Sequence, residues 1–139
     1  MDSGLSESSE ELFEAVSQDD LEKAKECLAK GASLTAIDPD GNTILHEAAG
    51  CGSHKVLEWL IKEHRSPGID KINDDGNTPL HEAGLMEEIE CMKLLYKACN
   101  STYNQTNKAG KTVYYILQTW HPQHVSEWDK FIKCCASEK

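Results

Sequence analysis

Two histidines, His46 and His81, occur in nearly the same local sequence, "DGNTILHEAAG" and "DGNTPLHEAG". A histidine in a recurring motif is a candidate general base or zinc ligand, because imidazole titrates near neutral pH and coordinates metals. The recurrence has two readings. Either one catalytic motif is used twice, or one structural unit is built twice, and the surrounding sequence must decide between them.

A second candidate site is a group of metal-ligand residue types near the C-terminus, consisting of His121, His124, Cys134 and Cys135. Two histidines and two thiols are ligand types that zinc accepts, but adjacent cysteines match no usual zinc spacing. Trp128, Phe131 and Ile132 lie between them and have the spacing of a helix core. We therefore expect no metal and no cofactor.

The six cysteines raise the question of a disulfide framework. Cys27, Cys91 and Cys99 lie in or beside apolar helical runs, and Cys51 follows a glycine at a helix end. Reduced thiols in a cytoplasmic or nuclear protein are a simpler account than bridges in a secreted one.

The elements that position these residues follow from an internal repeat. Gly41, Gly76 and Gly110 are 35 and 34 residues apart, and a threonine follows each glycine two positions later. The same pattern of helices and loop continues upstream of Gly41. We predict a repeat domain over residues 10–139 with units of about 10–37, 38–72, 73–106 and 107–139.

Each unit is predicted to contain two short helices. In the second unit, Leu45, Ala48 and Ala49 recur at helical spacing, and a second apolar face begins at Val56. The "DPDG" and "DDG" stretches between units have turn chemistry, because glycine accepts positive φ and aspartate bonds to the backbone that follows it.

The stretches "GNTILHEAAGCGSHKVLEWLI" and "GNTPLHEA" resemble the ankyrin repeat, whose hallmark is a turn followed by T-P-L-H and two antiparallel helices. The resemblance implies an all-α fold, an ankyrin-repeat solenoid of stacked helix-turn-helix pairs joined by hairpin-like turns. Ile44 and Glu87 depart from the hallmark, and one residue is inserted near 64–73 and another near 97–107. The last unit is the most divergent, as expected of a cap.

The resemblance also implies a structural role for the two histidines. In the ankyrin pattern this residue bonds to the turn and to the neighbouring unit, while the threonine three positions earlier caps the same helix. Phe13 and Tyr115 hold the corresponding places in the outer units. A catalytic base would not tolerate these replacements.

Composition excludes several classes of function. The net charge of −10 and the pI near 5.0 disfavour binding to nucleic acid or to an anionic membrane surface. The sequence has no apolar run of the roughly 18–20 residues needed for a membrane span, and its acidic start is unlike a signal peptide. It also contains no phosphate loop and no nucleophile elbow. We expect a non-enzymatic protein, monomeric on its own.

A binding surface remains as the source of function. Glu14, Glu47 and Glu82 fall in one column of the repeat, and the ends of the first helices become apolar towards the C-terminus. These glutamates are either solvated helix residues or part of a groove for a basic segment with hydrophobic anchors. The residues predicted to contact a partner are Glu14, Glu47, Glu82, Asp40, Asn42, Asp75, Asn77, Cys51, Leu85, Met86, Lys108, Lys111 and Trp120.

Residues 1–9 are polar and acidic, and we predict a disordered tail there. "DSGLSES" is similar to a phosphodegron of the D-S-G-φ-x-S type, which ankyrin-repeat inhibitors of NF-κB carry before their repeats. Ser3 and Ser8 are the corresponding phosphorylation candidates, although Ser8 stands one place late. Two hypotheses stay open: an intracellular adaptor or regulatory subunit, and an NF-κB-inhibitor-like regulator that masks a basic segment until phosphorylation removes it.

Overall fold

The computed structural model describes residues 7–137. They form eight α-helices and two short 3-10 segments. The α-helices are α1 (Glu7–Ser17), α2 (Leu21–Ala29), α3 (Ile44–Cys51), α4 (His54–His64), α5 (Pro79–Leu85), α6 (Ile89–Ala98), α7 (Val113–Trp120) and α8 (Val125–Ser137); the 3-10 segments are Asn100–Thr102 and Pro122–His124. No helix of this described part combines the length and hydropathy needed to cross a membrane.

The helices form four stacked pairs, so the predicted all-α solenoid is confirmed. The first helices of the units, α1, α3, α5 and α7, pack in a row, and we call them the inner helices. The second helices, α2, α4, α6 and α8, form a parallel outer row. The two rows meet through apolar side chains, so one continuous core lies between them.

Local sequence accounts for where the inner helices begin and end. Thr43, Thr78 and Thr112 are N-caps, and the hydroxyl of each accepts a hydrogen bond from the backbone three residues later. Gly52 ends α3 with a left-handed φ of 70°, a conformation in which glycine avoids a Cβ clash. The threonine caps predicted from the repeat are thereby confirmed.

Residue size sets how closely the two rows approach. Ala48, Ala49 and Ala83 are fully buried where the inner helices touch. Leu57 and Leu60 of α4 fill the space behind them. On α8 of the last unit the buried residue is Trp128, as expected for the core of a capping helix.

The structure differs from the predicted boundaries at the N-terminus. Helix α1 begins at Glu7, so residues 7–9 belong to the folded domain and not to a tail. Ser9 is 3% exposed, and its hydroxyl accepts a hydrogen bond from the backbone N–H of Ser33. This contact joins residues 24 positions apart, which a local reading of composition does not show.

Candidate partner-binding groove

His46 and His81 are held by the turns between units. Thr43 N–H donates to Nδ1 of His46 (3.0 Å), and Nε2 of His46 donates to the carbonyl of Asn77 (2.8 Å). His81 repeats the arrangement with Thr78 and the carbonyl of Lys111, at 3.2 and 3.1 Å. Both nitrogens of each ring are used, so neither ring is available as a base or a metal ligand. The predicted structural role is confirmed.

Burial fixes the protonation state of these rings. Both imidazoles are almost fully buried, and desolvation lowers the pKa of His46 and of His81. The neutral form also matches the geometry, because Nδ1 accepts a backbone N–H in each ring.

The turns between units form a ladder of backbone hydrogen bonds. Asp74 N–H donates to the carbonyl of Asp40, and Lys108 N–H donates to the carbonyl of Asp75, at 3.0 and 3.1 Å. A Cβ on Gly41 would come within 2.8 Å of Asp74 Oδ1, so glycine permits this close approach. The ladder fixes the spacing at which the turn tips project.

A shallow concavity of about 180 Å³ lies where α3, α5 and these turns meet. Its lining residues are Asn42, His46, Glu47, Gly50, Cys51, Glu82 and Met86. Five of the residues predicted to contact a partner are therefore brought together in one place. We call this surface and its continuation to Trp120 the groove.

The glutamate column is not uniform. Glu14 is exposed, Glu47 is half-buried, and Glu82 accepts hydrogen bonds from the side-chain amides of Asn73 (2.9 Å) and Asn77 (3.0 Å). Desolvation raises the pKa of Glu47, while a hydrogen bond from the Cys51 thiol opposes the shift. Glu82 thus serves the fold as well as the charge of the groove.

The acidic column ends at the last unit. The position that corresponds to Glu47 and Glu82 is Ile116, which is 2% exposed. Beside it the rim of the groove becomes apolar, because Met86 is 58% exposed and Trp120 is 66% exposed. Trp120 is therefore a surface residue and not part of the capping core. Leu85 is half-buried, and its carbonyl accepts a hydrogen bond from His121 (3.1 Å).

The structure corrects one residue of the predicted contact set. Asn77 is 4% exposed, and its side chain bonds to Glu82 and Asn107, so it cannot reach a partner. At the neighbouring turn tips, Asp40 and Asp75 are exposed.

The basic residues of the last turn also lie at the surface. Lys108 is exposed, and Nζ of Lys111 lies 4.2 Å from the centre of the Tyr115 ring. Tyr115 is 43% exposed. A cation over an aromatic face is a favourable contact, which holds the two side chains together at this end of the groove.

Sequence reasoning missed three exposed apolar side chains. In the repeat pattern Tyr115 is only the counterpart of a histidine, and nothing local marks it as exposed. Ile37 and Ile72 are each 51% exposed and precede equivalent turns 35 residues apart. That recurrence was available in the sequence as a signal, but an isoleucine in a repeat is first taken for core.

The C-terminal histidines and cysteines do not form a cluster in the described chain. His121 and His124 both approach Glu87, each with a ring nitrogen 3.7 Å from Oε1. Cys134 lies on α8, at a cleft with Gln123 and Ser126. All six cysteines are free thiols in the structure.

Comparison with known proteins agrees with this architecture. A family model described as ankyrin repeats (3 copies) matches residues 12–107. The chain is 31% identical over 106 residues to the nuclear factor NF-kappa-B p105 subunit of Gallus gallus, which covers 76% of this chain and 11% of that protein. It is 31% identical over 87 residues to the p105 subunit of Mus musculus, covering 62% of this chain and 9% of the relative.

The chain thus spans about a tenth of the length of these curated relatives. The family match covers more than half of the chain and includes the two histidine motifs and the concavity between α3 and α5. This chain belongs to the ankyrin repeat family.

Proposed function

We propose that this protein is a non-enzymatic adaptor or regulatory subunit that binds a partner protein through the groove and the exposed turn tips. Ankyrin repeats are protein-interaction modules. The observation that carries the proposal is the concavity that joins exposed Met86 to the acidic pair Glu47 and Glu82. Exposed Trp120 ends the neighbouring inner helix α7, which packs against α5. Large exposed apolar side chains beside charge are typical of interaction surfaces.

The chemistry of the groove selects the partner. Carboxylates attract a basic segment and accelerate its association, whereas Met86 and Trp120 offer apolar contacts that slow its dissociation. The partner is a protein and not a nucleic acid or a membrane surface, because the net charge of −10 repels both. We place the protein in the cytoplasm or nucleus, as a monomer when alone.

A selection experiment tests the partner class. Random peptides displayed on phage and selected against the protein should be enriched in Lys or Arg next to aromatic or aliphatic residues. Enrichment of acidic peptides, or of peptides without apolar anchors, would contradict the proposal.

The selected peptides then locate the surface. Glu47→Lys with Glu82→Lys should slow association strongly at low salt, because attraction becomes repulsion. The matched control is Glu22→Lys with Glu63→Lys, which makes the same charge change on exposed positions of outer helices. Equal slowing in both double variants would show that net charge, and not the groove, governs binding.

Trp120→Ala tests the apolar anchor separately. Its loss should raise the dissociation rate and cost roughly 2 kcal/mol of binding free energy, with little change in salt dependence. Unaltered helical circular dichroism is the required control. A normal dissociation rate in this variant would remove Trp120 from the binding surface.

The second candidate is an NF-κB-inhibitor-like regulator that masks a basic localisation segment of a signalling or transcription factor. The similarity to the p105 subunit favours this role, as does the degron-like sequence at Ser3 and Ser8. Ser3 lies outside the described residues. Ser8 belongs to α1, where its hydroxyl donates to the carbonyl of Lys30 (3.4 Å), so phosphorylation there would disturb the helix start.

Deletion of residues 1–6 separates the two candidates, because it removes Ser3 and leaves α1 intact. A degron-controlled inhibitor should then persist longer after stimulation, as followed by pulse-chase in cells. An adaptor should keep its normal lifetime. Ser3→Ala serves as the matched point variant.

A further inference from the structure

Three metal-ligand side chains converge outside the groove, at the turns between the inner and outer helices. His54 is the first residue of α4, Glu88 directly precedes α6, and Cys91 lies in the first turn of α6. One ligand atom from each of them lies within 4.8 Å of the others. The group therefore spans units 2 and 3.

The three side chains make no hydrogen bond or ion pair with the rest of the described chain. Their burial increases from the surface inwards: His54 is exposed, Glu88 is half-buried and Cys91 is fully buried. The neighbouring Glu87, by contrast, faces two histidines of the next unit. A half-buried carboxylate that lacks a protein donor is available to a cation.

The Glu88 carboxylate lies against Gly52, just before the start of α4. A Cβ on Gly52 would overlap both carboxylate oxygens, so glycine at this position leaves room for the side chain. Asp19 fixes the first turn of α4 by accepting hydrogen bonds from the N–H groups of Lys55 and Val56, at 3.4 and 2.9 Å. The position of His54 is thus fixed by the first turn of α4, and Glu88 lies beside it.

The surrounding charge is negative. Burial, and after it the carboxylates of Glu88, Asp19 and Glu90, raise the pKa of the Cys91 thiol. Lys93, the nearby cation on α6, is engaged by Glu90 and Glu127, at 3.2 and 2.8 Å. A divalent cation would reduce this concentration of negative charge.

We propose that His54, Glu88 and Cys91 form a zinc-binding site that links units 2 and 3. Nitrogen, oxygen and sulfur together form a ligand set that zinc accepts, whereas magnesium and calcium require oxygen ligands. Three protein ligands leave the fourth tetrahedral position to a water molecule.

Binding requires small movements and one proton transfer. Zinc bonds of about 2.0–2.3 Å bring ligand atoms closer together than 4.8 Å, so the exposed His54 ring and the Glu88 carboxylate move inwards by about 1 Å. The Cys91 thiol loses its proton to solvent and coordinates as the thiolate. The ion then bridges the contact between α4 and α6, and binding to the folded form stabilises that junction.

Cobalt(II) is the spectroscopic probe for this site. The reduced, chelator-treated protein should develop a thiolate-to-cobalt charge-transfer band that saturates at one equivalent of metal and disappears when zinc is added. His54→Ala and Glu88→Gln should each weaken zinc affinity at least about tenfold, since even the loss of an outer-shell partner costs that much. Zinc should raise the melting temperature of the wild type and have little effect on these variants.

Matched variants keep the test sharp. Cys91→Ser should abolish the band, but it alters a buried residue, so the exposed His54→Ala is the cleaner ligand variant. Cys51→Ser changes a cysteine outside the group, and His64→Ala changes the histidine at the far end of α4. Both variants should bind zinc and cobalt as the wild type does. Absence of the band at one equivalent would overturn the proposal, as would a band lost only when Cys134 and Cys135 are replaced by serine.

Discussion

In units 2 and 3 a buried histidine joins each inner helix to the next turn, whereas in unit 4 the same position holds Tyr115, a residue that is 43% exposed. Unit 4 is held instead by aromatic packing. Tyr96 lies edge-on to Tyr103 and to Trp128, with ring centres 5.3 and 5.8 Å apart, and Nε1 of Trp128 donates to the Tyr103 hydroxyl (3.0 Å).

The difference separates two sources of specificity. Histidine and asparagine bonds fix the register between units, because a displaced turn would leave buried polar groups unpaired. Aromatic packing supplies more apolar burial and constrains the register less. The family match ends at residue 107, so the aromatic unit is also the one that departs from the shared pattern.

The largest expected effect concerns the aromatic unit. Trp128→Ala removes a fully buried side chain and should lower the free energy of unfolding by about 3–5 kcal/mol in a urea titration. Trp120→Ala is the matched control, since that side chain is mostly exposed and its loss should change stability little. Equal losses of unfolding free energy in the two variants would show that burial of Trp128 does not stabilise the last unit.

The central unit should show a comparable loss, from a smaller side chain. Leu80 is 2% exposed on α5, which packs against α3 and α7. Leu80→Ala should cost about 2–5 kcal/mol through the cavity it leaves. Hydrogen exchange should quicken in both adjoining units, because interfaces on both sides weaken. Exchange that quickens only in α7 and α8 would contradict this coupling.

Acid should weaken the histidine-linked units. Burial lowers the pKa of His46 and His81 in the folded protein below their ordinary value of 6.5, so the unfolded chain binds more protons at mildly acidic pH. Stability therefore falls as the pH drops below about 6.5, by at most about 1.4 kcal/mol per pH unit for each ring. Urea titrations over this pH range measure the slope.

The matched variant for the acid effect is His46→Gln with His81→Gln. Glutamine can still bond back to the threonine cap but does not titrate. Its stability should vary less with pH than that of the wild type. An unchanged slope would assign the acid sensitivity to other groups.

The smallest expected effect is a gain. A Cβ on Gly84 would meet Val113 and Ile116 at ordinary contact distances of 3.5 and 3.8 Å, so Gly84→Ala should stabilise the junction of units 3 and 4 by up to about 1 kcal/mol. Gly52→Ala is the contrasting variant. It should destabilise, because Gly52 has φ 70° and its Cβ would overlap Glu88. Thermal melts of both variants provide the measurement.

The sequence predicted what is local and repeated. Thr43 and Thr78 mark helix starts because each capping hydroxyl accepts from a backbone N–H only three residues later. The spacing of Gly41 and Gly76 reveals the unit. It did not reveal contacts between units. The Asn77 amide pairs with a residue 30 positions away, which makes a predicted contact residue an interior one.

The same limit applies to the proposed metal ligands. His54 and Cys91 are 37 positions apart, and no local motif contains both. Only the stacking of α4 on α6 brings them together. The C-terminal histidines and cysteines show the reverse case, because they are close in sequence but form no cluster in the described part of the chain.

The positions of the three tryptophans have an optical consequence. Trp59 and Trp128 are 6% and 0% exposed, whereas Trp120 is 66% exposed at the rim of the groove. A partner that covers Trp120 removes water from its indole and shifts the fluorescence emission to shorter wavelength. Opening of the last unit brings water to Trp128 and shifts emission to longer wavelength. Binding and unfolding therefore move the emission maximum in opposite directions.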